Sequence, residues 1–373
     1  MKSLLCFFYI ILLTVMEGGY MLKYFKGSLI VTIIGILLAY FWGEHTHPGS
    51  GFLCLFIVAF LSILEVTLSF DNAVINAMKL EKMDDKWRHR FLTWGIAIAV
   101  FGMRFLFPIL VVAAFSGLTV LGVTKLALYD VDKYAHYLHL VHAPLVTFGG
   151  AFLLMIFLTY FFHEEKEVHW IAFLEKRLIK LNCVKYIDVV FALLALLILQ
   201  YFIPEEQKNS VLMAGFIGII LYLVIDSISN LLEQIAEKKA AIMGGTAKLG
   251  FIGFLYLELI DASFSLDGVL GAFAISKDII IISIGLAIGA MFVRSLTIFM
   301  VDMKTLKQYL YLEHGAHWAI GLLALIMFIS TRVEIPEVVT GSAGLIIVGA
   351  AFISSLIHNK KQLKEKVKEI CEK

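Results

Sequence analysis

Two short stretches of this chain set acids and hydroxyls in the same order, each inside a very apolar run. The first reads Glu65-Val-Thr-Leu-Ser69-Phe-Asp71-Asn72-Ala. The second reads Asp261-Ala-Ser-Phe-Ser265-Leu-Asp267-Gly268-Val, with Glu258 one helical turn upstream. An ionised side chain at the centre of a membrane helix costs about 2.5–3.5 kcal/mol on insertion scales, so a chain that keeps several there uses them. Five carboxylates (Glu65, Asp71, Glu258, Asp261, Asp267) face two arginines at similar depth (Arg104, Arg294), an excess of three negative charges. A low dielectric does not tolerate that excess unless a cation binds or protons are taken up. One divalent cation and one shared proton would neutralise it. Oxygen ligands, here with Asn72 beside the acids, suit hard or borderline cations such as Mg²⁺, Mn²⁺ or Ca²⁺. The motifs hold no Cys or His, which argues against Zn²⁺ and Cu⁺.

Helical geometry constrains how these groups meet. Glu258, Asp261 and Ser265 share one face of a helix, and Asp267 lies about 180° away. Glu65 and Ser69 likewise share a face that Asp71 does not. The reading adopted is that each helix unwinds, near Ser69–Asn72 and near Ser265–Gly268, where Asn72 and Gly268 tolerate irregular backbone and freed carbonyls add ligands. Ser69 and Ser265 then support the acids. The bland alternative makes the acids structural, paired with arginines to fix register, but isolated structural pairs seldom recur with internal symmetry. For Arg104 and Arg294 alone the structural role is favoured: they neutralise the acids when the site is empty. His136, His139 and His142 recur at the outer end of one span, and His314 and His317 at the inner end of another. Most such histidines are satisfied interfacial residues, with gating or proton transfer as the sharper reading. Asp226 and Asn230 are placed to line an inner vestibule, Asp188 and Asp302 read as helix-end polar residues, and Met103 and Met291 as packing.

The elements that must position these groups are membrane spans. The 373 residues are 60% hydrophobic and 16% charged, where soluble domains hold about 25% charge. Net charge is +1, which argues against nucleic acid as a partner. Cys6, Cys54, Cys183 and Cys371 show no CxxC spacing. Ten segments approach the roughly 20 apolar residues of a span: 28–43, 52–76, 91–116, 143–162, 186–203, 211–230, 250–275, 278–302, 315–330 and 339–358. With Lys23 and Lys26 in the cytoplasm, inner segments hold 23 lysines and arginines and outer loops five. That is the bias the positive-inside rule requires, with both ends of the core cytoplasmic, in a bacterial inner membrane. Residues 1–20 carry a short apolar stretch, readable as an anchor or as a start-site artefact ahead of Met21.

The spans divide into two sets of five. The motifs fall on spans 2 and 7. Arg104 lies on span 3 and Arg294 on span 8. His142 precedes Gly149 on span 4 by the same interval as His314 precedes Gly321 on span 9. The fold class expected is an all-α polytopic membrane protein of about ten helices in a 5+5 inverted-topology repeat, with its site at the midplane. Its parts are the extension 1–20, a first repeat 21–205, a second repeat 206–358 and a basic tail 359–373 that is a solvated helix or frayed end. Segments 163–185 and 231–249 are charged cytoplasmic loops, with amphipathic helices on the membrane surface as an option within them.

The paired motifs, from Glu65 to Asn72 and from Glu258 to Asp267, resemble those of TerC-type integral membrane proteins, a family of the LysE-like transporter superfamily named for tellurite resistance. The resemblance spans about 50 to 330. It implies metal binding by Glu65, Asp71, Asn72, Glu258, Asp261 and Asp267, and Mn²⁺ export. Gly268 departs from it, standing where many relatives have Ser, and the long loop 163–185 suggests a divergent branch. The expectation is a non-enzymatic divalent-cation transporter working by alternating access, with membrane lipid and the metal ion as partners, no resident cofactor, and homo-oligomerisation left open. Its rivals are an intramembrane aspartyl protease, disfavoured by the surplus acids and the lack of a Gly-x-Gly-Asp sequence, and a non-transporting assembly partner.

The basic-residue count yields a test of topology. Cysteines placed in 231–249 are expected to stay unlabelled by an impermeant thiol reagent in intact cells, and labelling there would overturn the ten-span order.

Overall fold

The structure is a computed structural model. It describes residues 20–46, 48–81, 83–98, 102, 106, 109–110, 112–113, 117–163, 168–181, 184–243, 250–251, 253–261, 272, 275–276, 278–303, 308–333 and 335–371. The helices are α1 Tyr20–Thr46, α2 Gly51–Leu68, α3 Phe70–Glu81, α4 Asp85–Ala97, α5 Val120–Tyr129, α6 Val131–His163 and α7 Ala172–Lys180. They continue with α8 Ile187–Leu199, α9 Glu205–Met243, α10 at 253–261, α11 Ile279–Asp302, α12 Leu312–Ser330 and α13 Glu337–Cys371. Seven of them, all or part of α1, α2, α6, α9, α11, α12 and α13, are long and apolar enough to cross a membrane.

Several boundaries differ from those expected. Span 28–43 is part of a helix that already runs at Tyr20, and 143–162 extends outward to Val131. Segment 231–249, read as a loop with room for an amphipathic helix, instead continues α9 unbroken as far as Met243, while the tail is helical to Cys371, the first of the two readings given for it. Polar residues end hydrophobicity, not helix: Lys, Glu and Ala propagate an existing helix at little cost. Segment 186–203 is only a 13-residue helix, about 20 Å long. Segments 91–116 and 250–275 are described only in part, by α4 with scattered positions and by α10.

The expected surface of such a bundle is apolar. Ile30, Ile33, Leu37 and Phe41 of α1, Phe52 and Phe56 of α2, and Ile346 and Ile357 of α13 are more than half exposed. A continuous apolar exterior of this kind is stable against lipid and not against water.

Close contacts fix the relative directions of the spans. Gly285 of α11 meets Leu61, and Gly289 meets Glu65, so α2 and α11 run parallel. A Cβ at Gly289 would lie 2.5 Å from the Glu65 Cβ; the Gly-x-x-x-Gly spacing lets the two backbones approach. α1 opposes α11: Ser28 donates to the Met291 carbonyl at 2.8 Å, and Trp42 Nε1 donates to Asp278 Oδ2 at 2.7 Å. Asp278 also accepts from the N–H groups of Ile280 and Ile281, capping α11. α9 runs parallel to α6, with Gly215 against Thr147 and Gly218 against Ala151. α12 opposes α6, with Gly150 against Phe328 and Gly321 against Phe157. α13 opposes α12, where Gly315 meets Ala351 and the Tyr311 N–H donates to Ser355 Oγ at 2.9 Å.

The α6–α9 seam is tight enough to test. A Cβ at Gly218 would stand 2.4 Å from the Phe148 carbonyl oxygen, whereas nothing lies within 4 Å of one at Gly349. Gly218→Ala is expected to lower stability by about 1–3 kcal/mol, the usual cost of overpacking. Gly349→Ala is expected to be neutral or slightly stabilising through helix propensity. Thermal unfolding of the two variants in detergent measures the contrast.

Candidate functional site

Glu65 is carried near the end of α2 and is 2% exposed. Ser69 Oγ donates to Glu65 Oε1 at 2.9 Å. Between α2 and α3 only Ser69 leaves helical geometry, with φ −102° and ψ 15°. The Ser69 N–H donates to the Glu65 carbonyl at 3.0 Å, closing α2, and the Ala73 N–H donates to the Ser69 carbonyl at 3.1 Å, opening α3. The unwinding expected over Ser69–Asn72 is therefore a one-residue break, with Phe70–Asn72 already helical. The second expected break, Ser265–Gly268, lies outside the described residues, as do Ser265, Asp267 and Arg104; of Asp71 only the backbone is described.

α3 then presents Asn72, whose Nδ2 donates to Asp261 Oδ1 at 2.6 Å. This bond joins the two motifs directly. One turn on, Asn76 is also buried, and its Oδ1 accepts no hydrogen bond among the described residues. The sequence reading passed over Asn76; its i+4 spacing from Asn72 was the available signal.

Glu258 on α10 is 5% exposed, and neither carboxylate oxygen has a hydrogen-bond partner among the described residues. Arg294 of α11 lies beside it, with Nε and Nη2 equally unpartnered there. The guanidinium instead sits over the Phe91 ring of α4, 4.7 Å from its centroid. Arg294 thus stands beside Glu258 with no ion pair to it among the described residues. Gly289 against Glu65 and Arg294 beside Glu258 lie five residues apart on α11, about 7.5 Å along its axis. The described part of the site lies where α11 meets α2, α4 and α10, with α3 tied to α10 through Asn72.

Other candidates lie elsewhere. His139 is exposed and His142 half-buried on the N-terminal part of α6. Asn230 donates to Asp226 Oδ2 at 3.0 Å on α9. Asp188 is buried in the first turn of α8 and accepts from Thr159 at 3.1 Å. Tyr222 lies within electrostatic reach of Asp188, Asp226 and Tyr256, the last two residues before Glu258. Met291 packs as expected, its methyl against Gly27. Among the described residues no group of three or more His, Cys, Asp or Glu side chains is arranged to hold a metal ion.

His314 and His317 belong to a second polar centre. Glu175 of the loop helix α7 is 1% exposed. Its carboxylate accepts from the N–H groups of Trp170 at 3.2 Å and Ile171 at 3.1 Å, and from Trp318 Nε1 at 3.2 Å. His314 Nδ1 lies 3.1 Å and His169 Nδ1 3.5 Å from Oε2. His317 stacks on Tyr160 at 3.3 Å between centroids. The sequence reads His314 and His317 as satisfied interfacial histidines, with gating as the sharper alternative, and gives no sign of Glu175, which reads there as one charge in a charged loop.

Comparison with known proteins adds identity. The family model described as "Protein of unknown function (DUF475)" matches residues 70–362. This overturns the likeness to TerC-type proteins drawn from the paired motifs: the match is to a different family, and tellurite resistance and Mn²⁺ export fall with it. Among curated proteins, the "Uncharacterized membrane protein YceF" of Bacillus subtilis (strain 168) is 32% identical over 139 residues, 36% of this chain. The chain spans about half, 51%, of that relative's length. No solved structure matches. With seven candidate spans and a membrane-protein relative, the chain is a multi-pass membrane protein.

The Glu175 centre predicts an acid dependence. Burial alone would raise this carboxyl, but the His314 side chain, the Ile171 N–H and the Trp318 indole outweigh it and bring the pKa from 4.5 to about 2. A depressed pKa stabilises the fold fully above the unfolded value and loses that contribution as pH falls from 4.5 towards 2. At 1.36 kcal/mol per unit the contribution is on the order of 3 kcal/mol. Glu175→Gln is expected to lower the melting temperature at pH 7, with the gap to wild type narrowing below pH 4.5. A constant gap across that range would refute the charge-based account.

Proposed function

Because this chain belongs to the DUF475 family, with no activity to inherit from it, we propose from the acid site itself that the protein moves a divalent cation across the membrane. The observation that carries the reading is the burial of Glu258 with both oxygens unpartnered among the described residues, within electrostatic reach of Asp261 and Arg294. A buried carboxylate left without donors is costly in an apolar bundle. A cation taken up there would supply the missing partner. Three described acids against Arg294 leave an excess of two negative charges, the charge of one divalent ion. Oxygen donors and the side-chain amides of Asn72 and Asn76 suit Mg²⁺, Mn²⁺ or Ca²⁺. The earlier preference for Mn²⁺ and for export rested on family likeness alone, so neither direction nor ion is carried forward.

The arrangement of helices supports alternating access. α6 and α9 are consecutive long spans that run parallel, so a return crossing lies between them, which segment 186–203 would provide. With 91–116 and 250–275 as further crossings, the count would be the ten expected from the sequence, with both core ends cytoplasmic. The α6–α12 contact supports an inverted repeat. Gly150 meets Phe328 and Gly321 meets Phe157, and shifting by the His142-to-His314 interval carries one contact to within a residue of the other. Two such halves can rock about a shared midplane site.

The test is transport by purified protein in proteoliposomes across Mg²⁺, Mn²⁺, Ca²⁺ and Zn²⁺. Glu258→Gln and Asp261→Asn are each expected to reduce flux at least tenfold and to abolish cation-dependent thermal stabilisation, because a ligand that no longer binds no longer stabilises. Full transport by both variants would remove the site from the mechanism.

A further inference from the structure

α7 is inside out for a helix in water: its one acid faces the bundle, and its aromatic and leucine side chains face away. It stands at the end of the bundle where α6 stops at His163 and where α8 and α12 begin. Glu175 is taken up by donors from its own loop and from α12, and Leu178 packs against the core. On the opposite face Phe173 is 66% exposed, and Leu174 and Leu181 are exposed with it. Lys176, Arg177 and Lys180 are exposed on the same side. At about 100° per residue the two lysines hold one edge of this face and the two leucines the other, with Phe173 and Arg177 between. The Arg177 guanidinium lies over the Phe173 ring, 3.9 Å from its centroid, so the charge rides on the apolar surface. The pattern continues past the helix. Val184 and Tyr186 are exposed, and Lys185 Nζ stands 4.9 Å from the Tyr186 ring centroid. α8 then turns Val190, Phe191 and Leu194 outward, as part of the apolar exterior. Glu164, Glu165 and Glu167 precede the helix, and between Ala172 and Ile187 the only acid is the buried Glu175.

We propose that the outward face of α7, continued by Lys185 and Tyr186, binds anionic phospholipid headgroups, with the helix lying in the membrane interface. Such a helix is held by its apolar edge in the upper acyl region and by the attraction of its basic residues to anionic lipid. Lysine and arginine stems cover apolar surface while their charged ends reach the phosphates, and tyrosine is favoured at that depth. Position selects lipid over a protein partner. α7 is tethered to the ends of α6 and α8 and fastened to the first turns of α12, which holds it at the height of the headgroups. Its apolar edge also leads along the chain into the lipid-facing side chains of α8. The Glu175 network gains a purpose here: it withdraws the single negative charge of the helix from a face that is otherwise wholly basic and apolar.

The experiment places a nitroxide on Leu174→Cys in the full chain, with Cys6, Cys54, Cys183 and Cys371 replaced by serine. The protein is reconstituted in vesicles of phosphatidylcholine alone or mixed with phosphatidylglycerol. Collision of the label with oxygen, which is richer in lipid, is compared with collision with a nickel chelate, which stays in water. The label is expected to meet oxygen more than chelate, and phosphatidylglycerol is expected to lower chelate collision by about twofold or more. Each basic residue at an anionic surface strengthens association roughly fivefold. Lys176→Gln, Arg177→Gln and Lys180→Gln together are therefore expected to abolish the response to phosphatidylglycerol, and high salt is expected to do the same to the chain that keeps all three. Lys360→Gln with Lys361→Gln, on α13, is expected to leave the response intact. A label open to the chelate in both kinds of vesicle overturns the inference. A label closed to both reagents means that protein covers the face, a second copy or another chain, and overturns it too. So does a response that survives in the triple variant or is lost in the α13 pair. If the triple variant does not fold, the salt arm decides: a response unmoved by salt overturns the inference.

Discussion

Keeping carboxylates inside an apolar bundle is the constraint on which the rest of this structure depends. Each must be reached by a donor, a counter-charge or a ligand, and lipid supplies none of these. The chain answers in three ways. Glu65 is bonded by a hydroxyl one turn along its own helix. Asp261 is bonded by an amide from the other motif. Glu258 is left with a nearby guanidinium and no hydrogen-bond partner among the described residues. The Gly285 and Gly289 approach belongs to the same account, since it draws α2 onto α11 and brings Glu65 against the helix that carries Arg294.

Much of this was legible in the chain. The paired motifs announced the acids, and the Asn72–Asp261 bond shows that the two motifs meet. Basic residues indicated which way each long helix points, and the contacts between α2 and α11, α6 and α9, and α6 and α12 agree with those directions. What the sequence could not convey was termination. α9 and α13 run on past their apolar stretches because charged residues sustain a helix as well as apolar ones do. Nor could spacing reveal Glu175: its five neighbours come from its own loop and from α12, more than a hundred residues away.

The two polar centres differ in how their charge is met. At the acid site Glu258 is buried with bonding capacity unused among the described residues. At the Glu175 centre the buried carboxylate accepts three hydrogen bonds and has two imidazoles beside it. It fastens the loop helix α7 to the foot of α12, the helix that also packs along α6. The loop between α6 and α8 is thereby held to the bundle by a bond network rather than by apolar contact alone.

The break at Ser69 also divides the polar groups of the first motif. The two rungs beside it belong one to each helix, so neither ties α2 to α3. Glu65 stands on one side of the joint and Asn72, with its bond to Asp261, on the other. A change in the angle between the two helices would therefore alter the separation of Glu65 from the second motif without costing either helix a turn.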